Sequence, residues 1–176
     1  MRHEIRFSGF GGQGIILAAV ILGRAAVLYD GKHAVQTQVY GPEARGGASM
    51  SAVIIDDQPI LFPEVILPDI FVIMSQEGFE RYGTDAPYDS VMILDPDMVR
   101  SRPRCRYHEI PATSVAKNTL GKVIVANIVM LGAMVQATAV VSTSSIEKAV
   151  LDSVPKGTEG LNQKAIRKGF ELAGLR

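Results

Sequence analysis

Short apolar runs alternate with longer helical patterns along most of this chain. Residues 5–8 and the runs at 69–74 (DIFVIM) and 91–94 (VMIL) are short and largely apolar, which predicts buried strands. Residues 14–29 carry only Arg24 as a charged side chain and predict a buried helix. Strands that alternate with helices indicate an α/β layered domain, which we expect to be Rossmann-like.

Two neighbouring segments indicate that the sheet is mixed. Residues 33–40 (HAVQTQVY) alternate apolar and polar side chains, and residues 48–55 form a second strand pattern. A parallel return needs a crossover of about a dozen residues or more. The short loop at residues 41–47 cannot provide one, so these two strands are predicted to pair antiparallel. With the other strands parallel, the sheet is mixed and mostly parallel.

The C-terminal third is predicted to be helical. Residues 121–138 form a long, nearly all-apolar helix, and residues 144–153 and 158–173 have amphipathic helical patterns. Ser144 and Glu147 have the spacing of a capping box at the start of the middle helix. We expect these helices to pack on the sheet or on a partner.

The composition argues against a nucleic-acid-binding or membrane protein and favours a cytoplasmic one. The 176 residues carry 18 basic and 18 acidic side chains, so we expect neither a nucleic-acid nor a membrane partner. The longest apolar stretch, residues 123–135, is too short to span a bilayer. The single cysteine, Cys105, and the absence of a secretory signal pattern favour a cytoplasmic location. Residues 1–176 are expected to form one domain.

The stretch SGFGGQGI lies between the first strand and the first helix. Gly9, Gly11 and Gly14 have the dinucleotide-binding spacing G-x-G-x-x-G, and Gly12 and Gln13 complete the loop. In this pattern Gly9 permits a tight turn, Gly11 lets a ligand approach the backbone, and Gly14 brings helix and strand together. The helix start then suits phosphate. The glycines either contact an anion or nucleotide, or serve only the turn and its packing.

One part of the dinucleotide fingerprint is missing. It needs an acidic residue about 20 positions on, at the end of the second strand. Asp30 has this spacing but precedes the second strand, which ends at Tyr40. The chain also lacks the G-K-[ST] of a P-loop. A stand-alone dinucleotide-binding oxidoreductase is therefore the alternative rather than the preferred interpretation.

A second unusual stretch, GPEARGG, follows the second strand. Its candidate residues are Gly41, Glu43, Arg45, Gly46 and Gly47. The arginine fork can hold a phosphate or carboxylate through two hydrogen bonds, or reach across a subunit boundary. The remaining interpretation is a solvated loop.

Together, GFGGQGI and VQTQVYGPEARGGASMS closely resemble the gamma subunit of 2-oxoacid:ferredoxin oxidoreductases, and most nearly the 2-oxoglutarate synthase type. The resemblance covers nearly the whole chain. It includes the segment YDGK at residues 29–32, Asp69 before its strand, Asn127 in the apolar helix, and the ending LNQKAIRKGFELAG. The PEARGG form differs from the corresponding segments of the indolepyruvate and pyruvate types.

The resemblance implies a multi-subunit enzyme that converts a 2-oxoacid and coenzyme A into an acyl-CoA and carbon dioxide, with two electrons passed to ferredoxin. It implies thiamine diphosphate, Mg and [4Fe-4S] clusters on partner subunits. The expected partners are the alpha and beta subunits and a ferredoxin-like delta subunit or ferredoxin. The composition agrees, because the chain has no Gly-Asp-Gly segment and one cysteine cannot supply the about four thiolates of a cluster.

We therefore expect a required subunit with no catalytic residue and no metal site of its own. Its expected role is assembly of the complex, either with contact to coenzyme A or as a purely structural subunit that binds no ligand. Asn127 must find hydrogen-bond partners if buried, and is expected to bond a neighbouring loop or brace the glycine loop or an interface. Exposed interface surface predicts a homodimer when the chain is isolated. The candidate ligand- or interface-binding residues are Gly9, Gly11, Gly12, Gln13, Gly14, Gly41, Glu43, Arg45, Gly46, Gly47 and Asn127.

Overall fold

The computed structural model describes residues 1–39 and 47–174. The strands are β1 (His3–Phe10), β2 (His33–Val39), β3 (Ala48–Asp56), β4 (Ile70–Ile73), β5 (Val91–Leu94) and β6 (Arg106–Glu109). The helices are α1 (Ile15–Arg24), α2 (Gln76–Tyr82), α3 (Ala112–Asn118), α4 (Ala126–Thr138), α5 (Thr143–Ser153) and α6 (Glu159–Gly174). A π-helical turn, Ala25–Tyr29, extends α1, and a 3₁₀ turn, Val123–Val125, precedes α4.

The sheet is mixed and mostly parallel, which confirms the prediction. Its strand order is β2-β3-β1-β4-β5-β6. Strands β1, β4, β5 and β6 run parallel to their neighbours in that series, whereas β3 is antiparallel to both β1 and β2. The antiparallel β2–β3 hairpin follows from the short connection between the two strands.

Apolar side chains cover both faces of the central strands, as their continuous apolar runs predict. On one face, Ile70 and Val72 of β4 belong to the larger core, which also contains residues of α1, α4, α5 and α6. On the other face, Phe71 and Ile73 belong to a smaller core with Phe79 of α2. The helices therefore form layers on both sides of the sheet.

Helix α4 begins later than the sequence predicts. Gly121 has a left-handed φ of 75° and Lys122 is extended, with φ −144° and ψ 104°. Neither conformation continues a helix, so the chain enters α4 through a 3₁₀ turn rather than from residue 121. From Ala126 to Val135 every side of α4 is buried, because the helix lies between the sheet and α6.

The start of α5 corrects the predicted capping box. The N-cap is Ser142, whose hydroxyl accepts a hydrogen bond from the Ser145 amide at 3.1 Å, rather than Ser144. Asp30 supports this cap from the end of the π-helical turn. Its carboxylate accepts from the Ser142 amide at 2.8 Å and from the Ser145 hydroxyl at 2.5 Å. Asp30 therefore ties α1 to α5, which explains its position before β2.

The bonds at Asp30 predict a pH-dependent stability. Burial by itself would raise the pKa of Asp30, but hydrogen bonds from Ser145 and Ser142 outweigh burial and lower that pKa. Because the pKa of Asp30 is lower in the folded state than in the unfolded state, the ionised carboxylate stabilises the folded protein. This stabilisation is fully present above the unfolded pKa of about 3.9 and is lost as the pH falls through the folded pKa. We expect Asp30→Asn to reduce the free energy of unfolding by about 1–2 kcal/mol at neutral pH. Urea denaturation at neutral pH and near pH 3 measures this.

The exposed Asp89 provides the control, since Asp89→Asn removes the same charge without these hydrogen bonds. The difference between wild type and Asp30→Asn should shrink at the acidic pH. An equal loss at both pH values would contradict a role for the ionised carboxylate.

Candidate functional site

The glycine loop lies at the carboxyl edge of the parallel strands. It follows β1, and the ends of β4 and β5 lie beside it, at Met74 and Asp95. In open α/β sheets, ligands bind outside the carboxyl ends of the strands, at the point where the strand order reverses. Here the chain order reverses at β1, which has β3 on one side and β4 on the other.

Gln13 fastens the glycine loop to the sheet. Its side-chain oxygen accepts from the Phe10 amide at 2.9 Å, and its side-chain nitrogen donates to the Met74 carbonyl at 2.7 Å. A Cβ on Gly9 would lie 2.4 Å from that oxygen. Gly9 is thus part of β1 and makes room for Gln13, whereas the turn itself uses the left-handed Gly12 and Gly14, with φ values of 94° and 74°. The predicted role of Gly9 in the turn is corrected accordingly.

Gly14 permits a close contact with α4, whereas the sequence predicted that it would permit a close contact between α1 and β1. A Cβ on Gly14 would lie 2.4 Å from the side-chain nitrogen of Asn127. That nitrogen donates to the Gly14 carbonyl at 3.0 Å, and the Asn127 side chain is buried. The polar residue within the apolar helix therefore braces the glycine loop, which is one of the two roles expected for it.

Gly11 faces open space. Among residues 1–39 and 47–174, no atom other than those of its chain neighbours lies within 4 Å of the position that a Cβ would occupy. The N-cap of α1 is Gly14, which supplies no side-chain hydrogen bond. The first amides of a helix lack partners within the helix and carry a partial positive charge. The exposed loop and the uncapped helix start together form a surface that a phosphate or a polar group of a partner can approach.

The beginning of β3 lies against the same loop. Phe10 pairs with Ala48, and the Ser49 hydroxyl donates to the Gly9 carbonyl at 3.4 Å. A hollow of about 310 Å³ lies between Ser49 and the glycines. Gly47, which precedes β3, is half-buried beside this region. The predictions for Gly41, Glu43, Arg45 and Gly46 lie outside the described residues.

An apolar hollow of about 320 Å³ borders the loop on its other side, and sequence reasoning missed it. Val123 and Ile124 are exposed at 50% and 66%. They were assigned to the interior of a helix because they are apolar, although Gly121 was a signal that the helix starts later. The lining residues are Phe10, Gly12, Gln13, Met98, Thr113, Val123, Ile124 and Ala126.

Asp95, the buried acid that bonds Thr113 of this hollow, has a structural role. Burial raises the pKa of Asp95, against hydrogen bonds from the Thr113 hydroxyl and amide and from the Asp97 amide. The Thr113 hydroxyl and amide donate to one carboxylate oxygen at 2.6 and 2.9 Å, and the Asp97 amide donates to the other at 3.0 Å. Because both oxygens are occupied, Asp95 anchors the start of α3 and is not a ligand group.

Other chemically active side chains are dispersed. His3 contacts Asp69 at 2.6 Å at the opposite end of the sheet, and Cys105 is buried. Within residues 1–39 and 47–174, no three of the His, Cys, Asp and Glu side chains are grouped as metal ligands would be. The carboxylate of Asp30 is hydrogen-bonded to Ser142 and Ser145 of α5 and its cap. It therefore cannot serve as the ribose-binding acid that a dinucleotide-binding oxidoreductase would need. In the same described part of the chain, none of the helices is both long and apolar enough for a membrane span.

Comparison with known proteins connects this surface to a family. A model of the pyruvate ferredoxin/flavodoxin oxidoreductase family matches residues 4–172. The chain is 56% identical to a 2-oxoglutarate synthase subunit, KorC, of Methanocaldococcus jannaschii, with 98% of this chain and 95% of the relative covered. It is 34% identical to a pyruvate synthase subunit, PorC, of Methanothermobacter thermautotrophicus, with 96% and 94% covered.

A solved structure has the same fold at high sequence identity. The gamma subunit of a keto/oxoacid ferredoxin oxidoreductase from Geobacter sulfurreducens superposes with a TM-score of 0.90 at 48% identity. The match covers 99% of this chain and 98% of that subunit. The similarity therefore extends over the sheet, the glycine loop and the C-terminal helices together.

Proposed function

Because this chain belongs to the pyruvate ferredoxin/flavodoxin oxidoreductase family, as a gamma subunit of its multi-subunit enzymes, we propose that its complex oxidises 2-oxoglutarate. The observation that carries this proposal is the 56% identity to a 2-oxoglutarate synthase subunit, against 34% to a pyruvate synthase subunit. In the proposed reaction, 2-oxoglutarate and coenzyme A give succinyl-CoA and carbon dioxide. The two electrons released pass to ferredoxin.

In the proposed complex, this chain provides binding surfaces for its partners and for coenzyme A, and the reactive cofactors lie on other subunits. Thiamine diphosphate, Mg and the [4Fe-4S] clusters belong to the alpha and beta subunits and a ferredoxin-like delta subunit, and the complex works in the cytoplasm. The only cysteine of this chain, Cys105, is buried at 5% exposure and cannot hold a cluster by itself.

Assembly is the main role that we assign to the surface around the glycine loop. Val123 and Ile124 expose large apolar area beside Gly12, and a second hollow of about 230 Å³ joins Ile124 to Gly14 and Leu17. Contiguous exposed apolar surface marks protein–protein contact. Its position next to the loop supports docking of the catalytic subunits against the same edge of the sheet.

Coenzyme A contact is the second role. The loop offers an uncapped helix start and open space at Gly11, and backbone amides at a helix N-terminus suit a pyrophosphate. Arg45 is the predicted side-chain partner for a phosphate. The ligand would then lie between this subunit and the catalytic subunits docked beside it.

Substitution at Gly11 tests both roles, because the open space lets a side chain enter without disturbing the fold. In the assembled complex, we expect Gly11→Asp to raise the KM for coenzyme A about tenfold, since a carboxylate repels the pyrophosphate at the helix start. Gly11→Asn is the matched control, being of equal size but uncharged. Steady-state kinetics measures the KM for coenzyme A, subunit pull-down measures assembly of the complex, and thermal melting measures the stability of the variant.

The outcomes separate the two roles. Coenzyme A contact is supported if Gly11→Asp raises the KM more than Gly11→Asn does, while the complex stays intact and the melting temperature is unchanged. If both variants leave KM unchanged and release the subunit equally, the loop serves assembly alone.

The substrate assignment has its own experiment. The complex is isolated through a tag on this chain and assayed with 2-oxoglutarate, pyruvate and other 2-oxoacids. A preference for pyruvate in kcat/KM would overturn the assignment to 2-oxoglutarate, whatever the result at Gly11.

A further inference from the structure

The two edges of the sheet differ in how they are protected against further strand pairing. At one edge, β6 has only four residues, RYHE, two of which are the charged Arg106 and Glu109, and Glu109 forms an ion pair with Arg102. At the other edge, β2 has seven residues, HAVQTQV, with no acidic, lysine, arginine or proline residue. Short length and charge protect an edge strand, whereas a long uncharged strand offers an open row of backbone groups.

The geometry of β2 is regular enough to accept another strand. Its pairing with β3 runs one residue to one residue from His33↔Asp56 to Val39↔Met50, without a bulge. In an antiparallel pair, alternate residues turn their amide and carbonyl groups away from the partner. The outer side of β2 therefore presents a straight series of donors and acceptors that no described strand covers.

Apolar surface flanks this edge of the sheet. On the α1 side, Val27 and Leu28 are exposed at 46% and 57% and border a hollow of about 280 Å³ with Ala34. Near the start of β2, Pro59 and Ile60 border a second hollow with Val35, which reaches around the edge to Val27 and Ala34. A strand added at β2 would bury these side chains as well as satisfy the backbone, which is how strand addition obtains its affinity.

We propose that β2 pairs with β2 of a second copy of this chain across a two-fold axis. A two-fold axis perpendicular to the sheet necessarily makes the two strands antiparallel and presents the same surface from each copy. The strand has no Asp, Glu, Lys or Arg that would oppose its own copy, and among the described residues the cations beside it are Arg24 and Lys32. The chain has a formal net charge of zero, so overall electrostatic repulsion between copies is weak. Because β6 is protected, pairing stops at two copies rather than continuing as a filament. This proposal does not depend on the substrate of the complex.

The first test measures the oligomeric state of the isolated full chain. Sedimentation velocity over about 1–100 µM should show a dimer for the wild type. Thr37 is exposed near the middle of β2, and Thr37→Lys should raise the dissociation constant about 100-fold, because each copy then carries a positive charge on the strand that pairs with its own copy. Tyr107→Lys, in the middle of β6 and 39% exposed, is the matched control and should leave the dimer intact.

The second test identifies the contact itself. In an antiparallel two-fold pair, one residue faces its own copy at a Cα separation of about 4.5–5.5 Å, which a disulfide can bridge. Native Cys105 is buried and does not compete. Single cysteines are introduced by Ala34→Cys, Val35→Cys, Gln36→Cys, Thr37→Cys and Gln38→Cys. Mild oxidation of the isolated chain and of the assembled complex should yield a covalent dimer of this subunit, fastest at one of these positions.

Three results would overturn the proposal. These are a monomer throughout the concentration range, a dimer in which no position of β2 cross-links, and a cross-link in the assembled complex from β2 to a different subunit.

Discussion

Replacing Gly169 with alanine is expected to lower the free energy of unfolding by about 3 kcal/mol, at the upper end of the usual cost of overpacking. Gly169 lies where α6 crosses α4. An added Cβ would lie 2.1 Å from the Val129 carbonyl oxygen and 2.7 Å from the Ala133 nitrogen. These are backbone atoms of a helix that is buried on every side, so no flexible side chain can move aside and the two helices must separate.

Gly160→Ala is the matched control, because it makes the same substitution in the same helix. A Cβ at Gly160 meets no atom within 4 Å. Since alanine favours helix by up to about 1 kcal/mol over glycine, we expect this variant to be neutral or more stable. Chemical denaturation of both variants provides the comparison. Similar changes in the two would show that the contact between α4 and α6 does not require glycine.

Gly14→Ala is the second large effect, with an expected loss of about 2–4 kcal/mol from backbone strain and overpacking together. The left-handed φ of 74° disfavours any side chain, and the new methyl group would collide with the side-chain nitrogen of Asn127 at 2.4 Å. The collision would also displace the brace that holds the glycine loop. We therefore expect the variant to lose activity in the complex along with stability.

Two variants separate strain from collision at this position. Gly121 has a nearly identical φ of 75° but open space around it, so Gly121→Ala reports the strain alone. Combining Gly14→Ala with Asn127→Ala removes the collision, and the double variant should be about 1 kcal/mol more stable than the sum of the two single losses. Strict additivity would show that Asn127 does not limit the space at Gly14. Urea denaturation of the four proteins gives the cycle.

Periodicity predicted most elements because each reflects burial along a single segment. The run VMIL at 91–94 is strand β5 with the predicted bounds. The antiparallel β2–β3 pair followed from loop length alone. The predicted start of α4 was wrong because Val123 and Ile124 are apolar for another reason, which is that they form exposed surface beside the glycine loop.

For the candidate site, the sequence suggested residues but could not predict what each one contacts. The spacing of the glycines predicted a loop between strand and helix, and an amide within an apolar helix predicted a bonded Asn127. That Gly9 makes room for Gln13, and Gly14 for Asn127, depends on atoms that are 4 and 113 residues apart and meet only after folding. The same holds for Asp30, whose spacing matched a ribose-binding acid while its carboxylate bonds Ser142 and Ser145.

The sequence by itself determined the α/β class and the mixed sheet, since periodicity and loop length are local properties of the chain. The family was indicated separately, by the resemblance that GFGGQGI and PEARGG carry. Only the tertiary structure decided which glycines are sterically required, which acid caps a helix, and which edge of the sheet is open. Those properties depend on distances between residues far apart in sequence, and such distances are fixed by close packing in the folded state.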